Sequence, residues 1–99
     1  MATPKPKAKV KAEDCVKYNE GDAVVTLSRP AKVHGQLVET ITMREPTVRD
    51  QKAAQRFDDA VDVEINAVAN LCNMTPDDVE ALPLRDFRRL QVAYMGFID

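Results

Sequence analysis

Two prolines near the C-terminal end of the chain limit the lengths of the helices that it can form there. Residues 71–91 read LCNMTPDDVEALPLRDFRRLQ. Asn73 suits the left-handed conformation that closes a helix, and Thr75 followed by Pro76 is typical of an N-cap and a first helical position. Pro83 disfavours helical geometry at the residue before it, so the helix between the prolines is limited to about two turns. The stretch therefore predicts short helices that turn sharply around one another.

Helical periodicity is clear on both sides of this stretch. Over residues 60–72, apolar residues recur at i, i+4, i+7 and i+11, which predicts a core helix after Asp58-Asp59. Val63 is an exception, because it lies on the polar face of that helix. A last helix is predicted from about Leu84 to Phe97, with an apolar side made of Leu84, Phe87, Leu90, Tyr94 and Ile98, flanked by Met95 and Phe97. This apolar side broadens toward the end of the helix, where little chain follows to cover it.

Residues 23–44 have the composition and turn signal of a β-hairpin. Val33-His34-Gly35-Gln36 supplies a two-residue turn in which Gly accepts a positive φ. Strict pairing back from this turn sets polar residues opposite apolar ones, so the first strand needs one extra residue. Because Pro30 cannot donate a ladder hydrogen bond, we predict a bulge at Arg29-Pro30. The predicted pairs are Leu27 with Ile41 and Val25 with Met43.

The predicted fold class is α+β, with an N-terminal β-hairpin followed by a bundle of three to four short helices. Pro46 ends the hairpin, and Thr47-Val48-Arg49-Asp50 resembles a capping box that opens a helix to about Phe57. Residues 1–20 are rich in Lys, Pro and Ala and are predicted to form a flexible tail. Residues 21–99 are then expected to form one small domain.

Composition narrows the functional classes. A net charge of −2 argues against general nucleic-acid binding, which depends on excess Lys and Arg. No apolar run approaches the ~20 residues of a membrane-spanning helix, and the N-terminus lacks the apolar core of a signal peptide. Cys15 and Cys72 are therefore expected to be free thiols in a reducing cytoplasm.

No residue pattern indicates catalysis, a cofactor or a metal. His34 is predicted in a turn, and the three glycines are scattered rather than grouped in a phosphate-binding loop. The pairs Asp58-Asp59 and Asp77-Asp78 fall at helix starts, where capping explains them better than metal binding does. An enzyme is not expected.

The last helix carries the candidate binding residues. Arg85, Arg88 and Arg89 form a basic patch that is either a solvated face or a contact for an acidic partner surface. A domain of this size has little core and often depends on a partner or on self-association. We expect partner contacts from Phe87, Leu90, Tyr94, Met95, Phe97, Ile98, Arg85, Arg88 and Arg89.

Several segments together resemble a known family. In chain order they are V-T-L-S-x-P, V-x-G at the turn, I-T-M-R-E-P-T-V-R-D, and the stretch from Leu71 to Gln91. The chain resembles the small tail assembly chaperones of Mu-like and related contractile-tailed bacteriophages, over about Val24 to Phe97. It departs from them at Gln51, where relatives usually have an apolar residue, and at Asn73, where they tend to have Gly. Residues 1–20 are additional.

This resemblance implies a non-catalytic role in the cytoplasm of the infected bacterium. Such proteins bind the long, largely helical tape measure protein and keep it soluble until tail tube protein assembles around it. The family commonly also yields a frameshifted longer form, and self-association is left open. Two alternatives remain. A structural tail subunit retained in the virion would use the hairpin edge, and a small nucleic-acid-binding regulator would use the Lys tail and the Arg patch.

Overall fold

The computed structural model describes residues 10–98, which form a three-stranded antiparallel sheet followed by four helices. A short 3-10 helix (Ala12–Cys15) precedes the sheet. The strands are β1 (Val16–Asn19), β2 (Asp22–Val33) and β3 (Gln36–Arg44). The helices are α1 (Val48–Ala54), α2 (Ala60–Cys72), α3 (Pro76–Glu80) and α4 (Leu84–Ile98). The α+β prediction of a hairpin followed by short helices is confirmed.

The hairpin turn forms where the sequence predicts it. Val33 pairs with Gln36, and both central residues have positive φ, 53° at His34 and 78° at Gly35. Two positive φ values define the turn type that matches the right-handed twist of paired strands. His34 is held further by its ring Nε2, which lies 2.6 Å from the Asn73 carbonyl oxygen.

The bulge in β2 lies in the predicted region but is larger than predicted. Between the paired residues Thr26 and Ala31, β2 contains residues 27–30, whereas β3 has only Glu39 in the corresponding gap. The strand therefore contains three extra residues rather than one, and the predicted register was wrong. The observed pairs are Val25 with Ile41 and Ala23 with Met43. Side chains alternate between the two faces of a strand, so one extra residue and three extra residues place the same side chains on the same face. The residues predicted to face the core therefore still do so.

Strand β1 corrects the predicted boundary of the tail. Val16 to Asn19 pair with β2, and Cys15 is buried, although the sequence placed all of residues 1–20 in a flexible segment. Tyr18 supplies the reason, because its hydroxyl donates to the Ala93 carbonyl oxygen of α4 at 3.0 Å. Residues 1–9 of the predicted tail lie outside the described part of the chain.

Local capping sets the helix limits. Asp59 is the N-cap of α2 and accepts from two backbone N–H groups, Asn73 closes that helix at φ 54°, and Thr75 caps α3, all as predicted. Helix α1 ends at Ala54 rather than near Phe57. Gln55 is its C-cap, and its backbone N–H donates to the Gln51 carbonyl oxygen in the last turn.

One face of the sheet packs against α2 and α4 to form the core. Fully buried side chains at its centre include Val25, Met43, Val79 and Leu90. The stripe predicted on α2 is buried at Val68 and Cys72 but reaches the surface at Val61, which is 57% exposed. The N-terminal end of α2 therefore lies at the rim of the core.

Candidate partner-binding surface

Helix α4 has one face in the core and another that is apolar and open. Leu90 and Ala93 are fully buried against the sheet, whereas Leu84, Met95 and Ile98 are 71%, 53% and 57% exposed. The spacing of these three residues places them on one side of the helix. Large apolar side chains that share an exposed face mark a protein-binding surface more often than single exposed ones do.

A groove runs between α1, α2 and α4 and has a volume of about 180 Å³. We call it the α1 groove. Six apolar or aromatic residues line it, with three glutamines and one glutamate: Ala54, Val63, Ala67, Val68, Tyr94 and Met95, with Gln51, Gln55, Gln91 and Glu64. Gln91 Nε2 donates to Glu64 Oε2 at 2.9 Å and thereby joins α4 to α2 at this groove.

A second groove, the α3 groove, lies between α2, α3 and the start of α4, with a volume of about 270 Å³. Its lining consists of Val61, Ile65, Val79, Leu82, Leu84, Phe87 and Glu80. Both grooves border the exposed apolar side of α4. We call this combined surface, with Leu84, Met95 and Ile98 at its centre, the α4 face.

The position of α1 beside this face depends on Asp50, within the motif R-E-P-T-V-R-D. Its carboxylate accepts from both terminal nitrogens of Arg44, at 2.6 and 2.7 Å, and from the Thr47 N–H at 2.9 Å. Asn70 of α2 donates to the same carboxylate at 3.0 Å. The Arg44 guanidinium holds the pKa of Asp50 well below its usual range. The motif thus fixes α1 to β3 and α2, and so places Ala54 in the α1 groove.

Asp86 fixes the other side of α4 to the sheet. Its carboxylate is fully buried and accepts from the backbone N–H and the hydroxyl of Ser28, in the bulge of β2. Arg89 lies 3.8 Å from this carboxylate and donates to the Thr26 carbonyl oxygen at 2.9 Å. The sequence gives Asp86 no distinguishing signal, because it reads as an ordinary polar residue in the first turn of a helix.

Tyr18 covers the last turns of α4. Its ring meets Phe97 edge-on at a centroid distance of 5.2 Å, and its hydroxyl donates to the Ala93 carbonyl oxygen. A Cβ built on Gly96 would overlap the Tyr18 hydroxyl oxygen. Gly96 therefore gives β1 its close approach to the helix.

The structure divides the nine predicted binding residues into three groups. Met95, Ile98, Arg85 and Arg88 are exposed, and half-buried Phe87 and Tyr94 line the grooves. Phe97 is half-buried against Tyr18. Leu90 is fully buried and Arg89 is bound to the sheet, so neither belongs to the open surface.

Sequence reasoning missed the contribution of α2 to this surface. Val61, Val63, Ile65 and Ala67 all line a groove. The available signal was Val63, an apolar residue on the side of α2 opposite its core stripe. An apolar residue off the core stripe indicates a second buried or binding surface on the same helix.

Residues 10–98 contain no group of three or more His, Cys, Asp or Glu side chains that could hold a metal ion. Burial raises the pKa of the Cys72 thiol to about 12, which disfavours the reactive thiolate. Over the same described range, no helix is both long and apolar enough to cross a membrane.

The described residues thus form a small α+β domain with an open, partly apolar side on α4. Residues 24–99 match the family described as phage tail assembly chaperone proteins, E, or 41 or 14. The chain belongs to this family, as the sequence resemblance indicated, and membership implies a non-enzymatic role in tail assembly. No significant match was found among curated proteins or among solved structures. The matched region begins within β2, so β1 and the 3-10 helix lie before it.

Proposed function

We propose that this protein binds the phage tape measure protein in the cytoplasm of the infected bacterium and keeps it soluble during tail assembly. The observation that carries the proposal is the α4 face, on which Leu84, Met95 and Ile98 are more than half exposed beside two apolar grooves. Membership of the tail assembly chaperone family supports the same reading. Tail tube protein and a frameshifted longer form of the chain are further expected partners from the sequence resemblance.

The dimensions of the α4 face suit a helical partner. From Leu84 to Ile98 the helix rises ~21 Å, at 1.5 Å per residue, which matches about four turns of a docked helix. Amphipathic helices bind such grooves through apolar anchors at helical spacing. Met95, near the C-terminal end of this face, adapts its flexible side chain to anchors of different shape, and that property suits a chaperone which covers many sites along one long polypeptide.

Contacts on this surface should each be modest. Both grooves are open at the surface, so a docked side chain would keep part of its area in water. Binding must also offset the lost freedom of the partner, so an open groove supports a weaker complex than an enclosed pocket does. Weak and repeated binding fits a chaperone that later yields its place to tail tube protein.

Site-specific photo-crosslinking tests the proposal. A photoreactive phenylalanine analogue replaces Met95 in one variant and Leu37 in a control, because Leu37 is 69% exposed on β3 and outside the α4 face. On co-expression with the tape measure protein of the same phage, we expect a crosslink from position 95 and none from position 37. Equal crosslinking from both positions, or none from position 95, would contradict the proposal.

The alternative of a structural tail subunit draws on strand β3, which lies at an edge of the sheet. An edge strand has backbone groups that a neighbouring subunit could pair with. Mass spectrometry of purified virions separates the two functions, because the chaperone is expected to be absent from the particle and a subunit would be present.

A further inference from the structure

We infer that two copies of this protein associate through the α4 face, with the two α4 helices side by side and parallel. This inference uses the surface proposed for the tape measure protein but does not require that protein to be the partner. It rests on the distribution of charge around the apolar centre of the face.

One edge of the α4 face is acidic. Glu64 of α2 lines the α1 groove, and Glu80 of α3 lines the α3 groove. All other residues that line the two grooves are uncharged. Both glutamates lie on the side of the face that α2 and α3 form. Glu64 accepts a hydrogen bond from the neutral Gln91, and no ion pair within residues 10–98 involves either carboxylate.

The opposite edge is basic. Arg88 follows Leu84 by four residues and precedes Met95 by seven, so it lies next to the exposed apolar side of α4. Phe87 and Tyr94, which line the grooves, point to the other side of that stripe, toward α2. Arg85 extends the basic edge further round the helix. Both arginines are exposed, and neither is ion-paired in the described part of the chain.

A surface with an apolar centre, one acidic edge and one basic edge is complementary to itself. In a two-fold dimer, each patch meets its own copy. An axis parallel to α4 sets the acidic edge of one copy opposite the basic edge of the other. An axis across α4 sets acidic against acidic and basic against basic, which is unfavourable. The charges therefore select the parallel arrangement.

The positions of Glu64 and Arg88 along the axis of α4 agree with the parallel arrangement. The hydrogen bond between Gln91 and Glu64 places that carboxylate level with Gln91. Arg88 precedes Gln91 by three residues, a rise of only ~4.5 Å. Rotation about an axis parallel to α4 preserves height, so Arg88 of one copy comes close to the level of Glu64 of the second copy. Two such pairs form in each dimer.

The contact area predicts a weak dimer. The open side of α4 is ~21 Å long and about as wide as a helix, ~10 Å, so it offers on the order of 200 Å² per copy against ~800 Å² per partner in a standard interface, and we expect dissociation constants in the micromolar range or above. Such a dimer covers Met95 and Ile98 when no partner is bound and gives way when a helical partner occupies the grooves. Self-association would thus protect the apolar surface between binding events.

Analytical ultracentrifugation of the full chain over a wide range of concentrations tests the inference. Glu64→Lys and Arg88→Glu each reverse both symmetric pairs, so each should weaken dimerisation by about tenfold. The double variant Glu64→Lys/Arg88→Glu exchanges the two edges and should restore most of the lost affinity. Lys32→Glu, an equivalent charge change in the exposed part of β2, serves as the control and should leave dimerisation unchanged. Circular dichroism checks that every variant is folded.

The inference is overturned if the wild-type chain stays monomeric at all concentrations, or if the double variant dimerises no better than the single ones. Crosslinking from position 95 to the tape measure protein is measured separately. A monomeric chain that still crosslinks removes the dimer and leaves the proposed function intact. A dimer with the expected charge-exchange behaviour but no crosslink supports the dimer and contradicts the function.

Discussion

The fully buried carboxylate of Asp86 accepts two hydrogen bonds from Ser28, one from its backbone N–H at 2.8 Å and one from its hydroxyl at 2.9 Å. Ser28 lies in the part of β2 that does not pair with β3. Asp86 thus supplies an acceptor that the strand ladder lacks there. Through this contact α4 is fixed to the sheet, and the open side of α4 is directed away from it.

Replacing Asp86 should destabilise the fold. Asp86→Ala removes a charged acceptor and leaves the Ser28 N–H without its partner, so we expect the free energy of unfolding to fall by about 2–3 kcal/mol. Ser28→Ala removes only the hydroxyl contact and should cost about 1 kcal/mol. Urea denaturation followed by circular dichroism measures both. An Asp86→Ala variant no less stable than Ser28→Ala would show that the backbone contact contributes nothing.

The effect of Gly96→Ala on the free energy of unfolding should have opposite signs in chains with Tyr and with Ala at position 18. In the wild-type chain the new Cβ overlaps the Tyr18 hydroxyl, and overpacking of this kind costs about 1–3 kcal/mol of stability. In a Tyr18→Ala background the overlap is gone, and Ala in a helix interior is favoured over Gly by up to about 1 kcal/mol. Thermal unfolding of the four chains in this double-mutant cycle provides the test. The same sign in both backgrounds would contradict the close packing of β1 on α4.

These two contacts also show why part of the fold could not be predicted from the sequence. The hairpin turn at His34-Gly35 and the caps at Thr47 and Asp59 depend on a few adjacent residues, and all were predicted. The size of the β2 bulge depends on Asp86, which lies 58 residues further along the chain than Ser28. A pairing count confined to the hairpin could not include it.

The α4 face was predicted only in part, because here too the burial of a side chain depends on residues far away in the sequence. The periodicity of α4 identified Met95 and Ile98 as part of its apolar side or its flank, and both are exposed in the structure. Periodicity also groups Leu90 with them, because it identifies apolar residues without showing which neighbour covers each. Strand β1 was missed because the Lys-rich segment before it dominates the local composition, whereas Tyr18 finds its partner at the opposite end of the chain.

Asp50 should make stability depend on pH in the acid range. Its pKa is lower in the folded chain than in the unfolded one, mainly because Arg44 donates to it. The stability that Asp50 contributes is therefore complete above ~3.9, the pKa of its carboxyl group in the unfolded chain. It is lost as the pH falls toward the lower pKa of the folded chain. Asp50→Asn should reduce the free energy of unfolding at pH 7 by about 1–2 kcal/mol, because it weakens the helix cap and removes a partly exposed ion pair.

The measurement is urea denaturation of wild type and Asp50→Asn at pH 7 and again near the acid limit of the folded state. The difference between the two chains should shrink as the pH falls below ~4. Asp58→Asn, which alters an exposed carboxylate outside this cluster, is the control. A difference that stays constant with pH would contradict the assigned role of Asp50.

The Cys72 thiol should resist alkylation in the folded protein. Burial raises its pKa to about 12, so at pH 8 the thiolate fraction is lower than that of a free cysteine by roughly a thousandfold. In a Cys15→Ala background, reaction with iodoacetamide followed by mass spectrometry should be slow in buffer and fast in urea. A native rate within tenfold of the unfolded rate would place Cys72 outside the core.

The central claim is that the α4 face shelters a tail protein, and the most direct test is the solubility of the tape measure protein on co-expression. Met95→Glu/Ile98→Glu places two charges on the face, and Leu37→Glu makes the same kind of change at an exposed apolar residue elsewhere. We predict that the wild-type and Leu37→Glu chains keep the tape measure protein in the soluble fraction, whereas Met95→Glu/Ile98→Glu remains folded and lets it precipitate. Solubility equal to wild type with the folded double variant would contradict the claim.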